Sequence, residues 1–240
     1  MFNPIICHNC RTSGGYGIFF FSFVNMKRLF CLIPACLFLL TGCIAQSGND
    51  GFSAEVINDS VWQFMQGKTY HENPHIQRDD LRYLRLLHWD YDGQTHTGEM
   101  VCNKVIADDL LDIFRELYKA HYPIERMVLP DNYDADDERS MADDNTSGFC
   151  FRKVDGSKKM SKHALGMAVD INPLYNPCVR TRKDGTVTVQ PQKGLPYADR
   201  KKKSPYSIVK GDLCHRLFTQ YGFTWGGAWD SVKDYQHFER

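Results

Sequence analysis

The sequence lacks an excess of either charge, since its 240 residues include 29 lysines and arginines and 29 aspartates and glutamates. A formal net charge of zero argues against binding to nucleic acid or to an anionic membrane through bulk charge, because both attract strongly basic surfaces. We therefore expect no nucleic-acid partner. The hydrophobic content of 42% and the aromatic content of 13% are those of a folded globular protein, which excludes an intrinsically disordered chain.

The sequence also lacks a convincing membrane-spanning segment near its N-terminus. The apolar run Leu29 to Leu40 is interrupted by Pro34, whereas a span needs roughly 20 apolar residues. The run follows the basic start Met26-Lys27-Arg28 and leads into Leu-Thr-Gly-Cys43, the layout of a secretory signal. Its end resembles a bacterial lipobox, which would make Cys43 the lipid-modified first residue of the mature protein. An ordinary cleaved signal, with Cys43 incidental, is the alternative.

These features predict three parts of the chain. Residues 1–43 are an N-terminal extension plus the signal. We expect translation to start at Met26, which makes the first 25 residues a gene-start error; a real but cleaved extension is the alternative. Residues 44–55 form a polar tether, and residues 56–240 form one domain without an internal repeat or linker. We expect an exported, monomeric protein of the periplasm or cell envelope that touches the membrane only through its lipid anchor.

Cysteine is sparse in the part that follows the signal and has no paired spacing there. Cys102, Cys150, Cys178 and Cys214 lie far apart, without the C-x-x-C grouping of a structural zinc site. Four cysteines in an oxidising compartment permit two disulfides, in a pairing that the sequence leaves open. Buried free thiols are the alternative.

The remaining patterns predict an α+β fold with a mostly antiparallel sheet flanked by helices. Alternation in residues 81–93 ends in Asp-Gly and predicts a hairpin with residues 98–105, and apolar spacing predicts helices in residues 107–123 and 207–223. Shorter strands are expected in the segments IERMVLPD, FCFRKV and GMAVDINP. Solvated loops are expected in the Asp-rich segment 132–148 and in the basic segment 190–205.

Two polar residues in the segment SKHALGMAVDINP have no secondary-structure explanation. His163 and Asp170 lie seven positions apart, and Gly166 allows a turn that could bring both to one metal ion. Two ligands make a poor zinc site, but His237 in the C-terminal segment DYQHFE offers a third and leaves one position open for water. Asp234, three residues before His237, is placed to take a proton from that water.

These motifs together resemble the zinc D-alanyl-D-alanine carboxypeptidase family, which includes dipeptidases of vancomycin resistance and L-alanyl-D-glutamate endopeptidases of phage endolysins. The matching pattern is Ser-x-His-x-x-Gly-x-Ala-x-Asp, then Trp-Gly-Gly-x-Trp, then Asp-x-x-His. The resemblance implies a fold of the hedgehog and D-Ala-D-Ala-peptidase type and one Zn²⁺ per chain. It makes His163, Asp170 and His237 the zinc ligands and Asp234 the general base. The dipeptidase branch has a glutamate at the base position, whereas the aspartate here is similar to the endolysin-type branch and argues against a D-Ala-D-Ala dipeptidase.

The resemblance extends to further residues. Arg152 corresponds to the arginine that stabilises the oxyanion, with a structural ion pair as the alternative. Ser161 binds the substrate or shapes the ligand loop. Trp225 and Trp229 are expected in the core and in the wall of the site. Glu239 is left out of the site at this stage.

The function that follows is an exported zinc metallopeptidase that hydrolyses an amide bond in peptidoglycan stem peptides. It would be a D,D-carboxypeptidase or an L-Ala-D-Glu-type endopeptidase, and the sequence does not select the bond. A non-catalytic zinc-containing binding or signalling module of the same fold is the alternative. A zinc amidase or esterase with another substrate would keep the mechanism and change only the target.

Overall fold

The computed structural model describes residues 50–154, 157–202 and 204–240. The predicted signal and Cys43 lie outside the described residues. The helices and strands, in chain order, are β1 (Ser53–Val56), α1 (Asp59–Met65), β2 (Leu81–Trp89), β3 (Thr95–Asn103), α2 (Ala107–Lys119), α3 (Asp137–Ala142), β4 (Ala168–Asp170), β5 (Cys178–Thr181), β6 (Val187–Gln190), α4 (Leu213–Gln220), β7 (Thr224–Trp225), β8 (Val232–Asp234) and β9 (His237–Glu239). Over these ranges, no helix combines the length and apolar character needed to cross a membrane.

The largest sheet contains the predicted hairpin. Strand β2 pairs antiparallel with β1 on one side and with β3 on the other. Alternation along β2 buries Leu84 and Leu86 completely, and helix α2 covers this face with a stripe at helical spacing that includes Leu110 and Phe114. The hairpin and the helix therefore match their predictions, and together they build the main core.

The other strands form two small antiparallel sheets, so the α+β class is confirmed while the expected single sheet is divided. One sheet has the order β4-β9-β7 and the other has the order β6-β5-β8. Their strands are two to four residues long. Strands this short do not join into one continuous sheet. Each small sheet instead holds a few residues of one strand opposite defined residues of its neighbour.

Two predicted strands are absent because their backbone groups bond elsewhere. In IERMVLPD the amide of Val128 donates to the Asn145 side chain (2.8 Å), which in turn donates to the Val128 carbonyl (3.0 Å). In FCFRKV the amide of Phe149 donates to Val101 and that of Phe151 donates to Thr69. Neither segment meets one continuous partner strand, so no ladder forms.

The prediction of a solvated loop for the Asp-rich segment is wrong. The chain forms a 3₁₀ turn over Pro130–Tyr133 and helix α3, and Asp144 and Asn145 are buried, as is Asp131 directly before the segment. Asp131 accepts hydrogen bonds from the backbone amide (3.2 Å) and hydroxyl (2.8 Å) of Thr69. Protein donors satisfy these polar side chains, which is why the segment is ordered rather than solvated.

The basic segment also departs from a simple solvated loop. It contains a 3₁₀ helix over Gln192–Tyr197. Arg200 is half-buried, donates a hydrogen bond to the Ile208 carbonyl (2.6 Å) and lies over the ring of Tyr235 at 4.3 Å. The guanidinium of Arg200 therefore holds the basic segment against Ile208 and Tyr235 instead of facing solvent.

The four cysteines of the domain are free thiols. Cys102 and Cys214 are fully buried and Cys150 is nearly so, whereas Cys178 is half-buried. The structure thus favours the free-thiol alternative, with the buried cysteines acting as small apolar residues.

Candidate metal centre

His163 enters the site from a short 3₁₀ turn, His163–Leu165, that ends at Gly166. Gly166 has a φ of +66°, and a Cβ atom there would lie 2.5 Å from the backbone nitrogen of Asn103. Glycine is therefore required for both its backbone angle and its close packing. Ser161 accepts a hydrogen bond from the His163 amide (3.2 Å), so its hydroxyl shapes the loop that carries the histidine.

Asp170 and His237 meet because their strands pair. Asp170 ends β4, His237 begins β9, and the antiparallel register places the two residues directly opposite each other. Opposing residues in such a pair have neighbouring side chains on one face of the sheet. A pairing between two three-residue strands thus joins residues 67 positions apart in the chain.

Three potential ligand atoms converge at this point. His163 Nε2 lies 3.1 Å from His237 Nδ1 and 3.2 Å from Asp170 Oδ2, and His237 Nδ1 lies 3.0 Å from Asp170 Oδ1. All three side chains are buried. Tetrahedral zinc with bonds of about 2.0–2.1 Å places neighbouring ligand atoms roughly 3.3 Å apart, so these separations fit that ion.

The outer nitrogen of each histidine is held by an acceptor. His163 Nδ1 donates to the Gly148 carbonyl (2.6 Å), and His237 Nε2 donates to Glu239 Oε2 (3.1 Å). Neutral imidazole carries one proton, so both inner nitrogens then present lone pairs toward each other and toward the Asp170 carboxylate. Lone pairs at such distances repel unless a positive charge lies among them. This arrangement is typical of metal-ligating histidines.

The electrostatics of the cluster also favour a positive charge. Burial would raise the pKa of Asp170, but the charges of His163 and His237 and their hydrogen bonds hold it well below the ordinary value. Burial would lower the pKa of His237, but Asp170 and Glu239 raise it to about 10. A proton on His237 can supply the charge, and a divalent ion binds by displacing that proton.

Glu239 lines the site, although the sequence pattern did not predict it there. Strand β9 is extended, so His237 and Glu239 project to the same face while Phe238 points into the core and is fully buried. The two-residue spacing of His237 and Glu239 would have predicted this shared face if the segment had been assigned as a strand. Glu239 orients the His237 ring and adds negative charge beside it. Carboxylates that accept from metal-binding histidines have the same role.

Asp234 reaches the same cavity from the other small sheet. It ends β8 opposite Cys178 of β5. Its Oδ1 atom is buried without a hydrogen-bond partner among the described residues. Burial raises the pKa of Asp234, against the opposing effect of His237. At Gly226 a Cβ atom would lie 2.7 Å from the Asp234 carbonyl oxygen, so glycine permits this close approach.

Arg152 lies in the wall of the cavity with its guanidinium held by Asp137. The Nη2 atom is 2.9 Å from Asp137 Oδ2, while Nε is buried and has no partner among the described residues. Burial opposes its charge, but Asp137 and other nearby acids raise the pKa of Arg152 above its ordinary value. The structure thus shows the structural ion pair and leaves a nitrogen of the same arginine unpaired.

A cavity of about 530 Å³ joins these residues. Its lining includes the three clustered side chains, Asp234, Arg152, Ser161, Glu239 and Trp229. The Trp229 ring lies 5.3 Å from the His237 ring, whereas Trp225 is buried in the core and donates its ring N–H to the Tyr235 carbonyl (2.9 Å). The structure therefore brings together every predicted site residue except Cys43, which lies outside the described residues.

Comparison with known proteins gives one family match. Residues 155–240 match the family model described as D-alanyl-D-alanine carboxypeptidase. No curated protein and no solved structure matches the chain. The matched segment contains the three clustered residues and Asp234, and Arg152 lies just before it.

Proposed function

We propose that the protein is a zinc peptidase acting on peptidoglycan stem peptides, because residues 155–240 match the D-alanyl-D-alanine carboxypeptidase family model, the family that the motifs resemble. The observation that carries the proposal is the convergence of His163 Nε2, His237 Nδ1 and the Asp170 carboxylate in a buried cluster. The fold would then be of the hedgehog and D-Ala-D-Ala-peptidase type.

His163, Asp170 and His237 would hold one zinc ion. The fit is supported by the donor set, by separations of 3.0–3.2 Å between the inner atoms, and by acceptors that fix both histidine tautomers. When bound in such an open three-ligand site, zinc polarises a carbonyl and lowers the pKa of water toward about 7.

The protein groups around this position have separate chemical roles. Asp234 accepts a proton from the attacking water and delivers it to the leaving amine nitrogen. Its buried, unpartnered Oδ1 and its raised pKa suit a carboxylate that exchanges a proton during the reaction. Arg152, oriented by Asp137, stabilises the negative charge that develops on the carbonyl oxygen of the scissile amide. Trp229 forms an apolar wall that reduces access of bulk water.

The substrate and location rest on the family match and on the N-terminal signal. A stem peptide is the substrate class that a cell-wall carboxypeptidase implies, and export would bring the domain to the cell wall. We propose that a lipid on Cys43 anchors the protein to the envelope. The predicted tether, residues 44–55, is too long by its last residues, because Phe52 is buried in the core and Ser53–Val56 forms β1.

The test is cleavage of purified peptidoglycan by the zinc-loaded protein and its Asp234→Asn variant, with products identified by mass spectrometry. Loss of a general base is expected to reduce kcat by about 10²–10⁴-fold while one zinc per chain is retained. Asp230→Asn is the matched control, because Asp230 is an exposed carboxylate four residues earlier and outside the cavity lining. Its activity should equal that of the wild type.

The same experiment separates the alternatives. A wild-type protein that binds zinc but releases no stem-peptide fragment would support a non-catalytic module instead. If the protein cleaved other amides or esters but not peptidoglycan, the proposed hydrolytic mechanism would stand and the stem-peptide substrate would be rejected. Product masses would identify the bond.

A further inference from the structure

Two arginines, Arg180 within β5 and Arg182 directly after its end, lie where the metal-centre cavity meets a second cavity. Arg180 lines both the site cavity and an adjoining groove of about 700 Å³, and so does Gln190. Arg182 lines the groove alone. The two spaces thus share a wall, and a ligand that leaves the metal centre along this wall passes Arg180 before Arg182.

The strand geometry directs Arg180 toward the site. Cys178 and Arg180 are two residues apart on β5 and therefore share a face of the sheet, and Cys178 lies opposite Asp234. The charge of Arg180 opposes the effect of burial on the Cys178 thiol, as expected of a guanidinium close to it. Arg182 follows the end of β5, and its backbone amide donates to the Thr186 carbonyl (2.8 Å) to close the hairpin.

Both guanidinium groups lack an acidic partner. Among the residues that the structure describes, neither Arg180 nor Arg182 forms a salt bridge. Arg152 and Arg240, in contrast, pair with Asp137 (2.9 Å) and Asp109 (2.7 Å). Although Glu138 also lines the groove, Arg180 and Arg182 are not engaged in an ion pair there within the described part of the chain and can bind an external anion.

We infer that Arg180 and Arg182 bind carboxylates of an acidic peptide on one side of its scissile bond, and so select acidic peptides as substrates. This inference rests on the proposed peptidase function. A planar guanidinium binds a carboxylate through two parallel hydrogen bonds, which gives direction as well as charge. Alternate residues of a strand lie about 6.6–6.8 Å apart, so the pair matches carboxylates on alternate residues of an extended peptide.

The test compares a stem peptide that has free carboxylates with the same peptide in amidated form. Arg180→Gln is expected to raise KM for the acidic peptide about tenfold, equivalent to roughly 1.4 kcal/mol, with kcat nearly unchanged. Its KM for the amidated peptide should stay at the wild-type value. Arg182→Gln should give a smaller rise, because Arg182 is exposed and farther from the metal centre. Lys183→Gln removes the same charge from the exposed hairpin and is the control.

Binding to an inactive variant separates this inference from the proposed activity. Fluorescence anisotropy of the labelled acidic peptide with zinc-loaded Asp234→Asn should show binding that weakens about tenfold when Arg180→Gln is added. Arg180-dependent binding without any wild-type cleavage would support carboxylate binding by Arg180 and reject the peptidase. Cleavage with equal KM values for both peptides, or no binding of the acidic peptide, would overturn the inference.

Discussion

The metal centre and the Asp-rich segment are both buried polar clusters, but they satisfy their polar atoms in opposite ways. In the segment, donors from the protein meet each acceptor: Asp144 accepts from the Tyr91 hydroxyl (2.5 Å) and the Leu174 amide (2.8 Å). At the metal centre, potential ligand atoms converge, as His163 Nε2 and His237 Nδ1 do at 3.1 Å, and a proton or a metal ion among them must supply positive charge. A buried cluster that needs no external charge is structural, whereas one with converging lone pairs calls for a cation.

The pKa directions express the same difference. Burial raises the pKa of Asp144 to about 6, although its hydrogen bonds from Tyr91 and Leu174 oppose the shift. Asp170 is also buried, yet the two histidines hold its pKa well below the ordinary carboxylate value. Burial alone therefore does not determine whether a carboxylate is charged, because the neighbouring groups decide the sign.

Removing a ligand should have the largest effect and should affect only the metal centre. We expect His163→Ala to weaken zinc binding by more than 100-fold, because loss of a ligand should exceed the effect, about 10–100-fold, of losing a residue that only contacts a ligand. The variant should also lose the zinc-dependent rise in Tm. Elemental analysis and thermal unfolding with and without zinc measure both effects. His96→Ala is the control, because His96 is exposed and pairs only with Asp90. Full zinc content in His163→Ala would remove this residue from the centre.

Removing the outer carboxylate should have the next largest effect. Glu239→Ala is expected to weaken zinc binding about 10–100-fold, because His237 loses the acceptor that fixes its tautomer. Glu239→Gln keeps an acceptor and should lie between this variant and the wild type. Competition with a chelator measures the affinity, and the exposed Glu72→Gln serves as control. An unchanged affinity in Glu239→Ala would mean that Glu239 is only a neighbour.

A substitution in the Asp-rich segment should reverse this pattern. Asn145→Ala is expected to cost about 2 kcal/mol of unfolding free energy, since Asn145 bonds both backbone groups of Val128 and the Ser140 hydroxyl. Zinc affinity of the folded variant should not change. Denaturant unfolding measures the free energy of unfolding, and zinc titration measures the affinity. Asn132→Ala is the control, because Asn132 is exposed. If Asn145→Ala lost zinc binding but kept its stability, the Asp-rich segment would not be a purely structural cluster.

The smallest predicted effect is a dependence of stability on pH. Because the pKa of Asp144 is about 6 when folded and lies lower when unfolded, the folded state takes up a proton first as the pH falls. The wild type should therefore gain roughly 1 kcal/mol relative to Asp144→Asn between pH 7 and pH 5. Urea unfolding of both proteins at each pH measures the difference. A relative loss for the wild type would show that hydrogen bonds outweigh burial at Asp144.

The sequence alone determined the residue types of the metal centre and the elements with strong periodicity. His163, Asp170, Asp234 and His237 were found because zinc chemistry restricts which side chains can serve, whatever the fold around them. The β2–β3 hairpin and helix α2 were found because a buried face imposes a regular apolar spacing that a sequence displays directly.

Tertiary structure decided how the polar residues are used. Glu239 joined the centre through the extended geometry of β9, and the Asp-rich segment is ordered by donors such as Tyr91 and Leu174 from distant parts of the chain. The segments IERMVLPD and FCFRKV have strand-like composition but meet no continuous partner. A hydrogen bond depends on which group the fold brings within about 3 Å, and sequence periodicity does not record that distance.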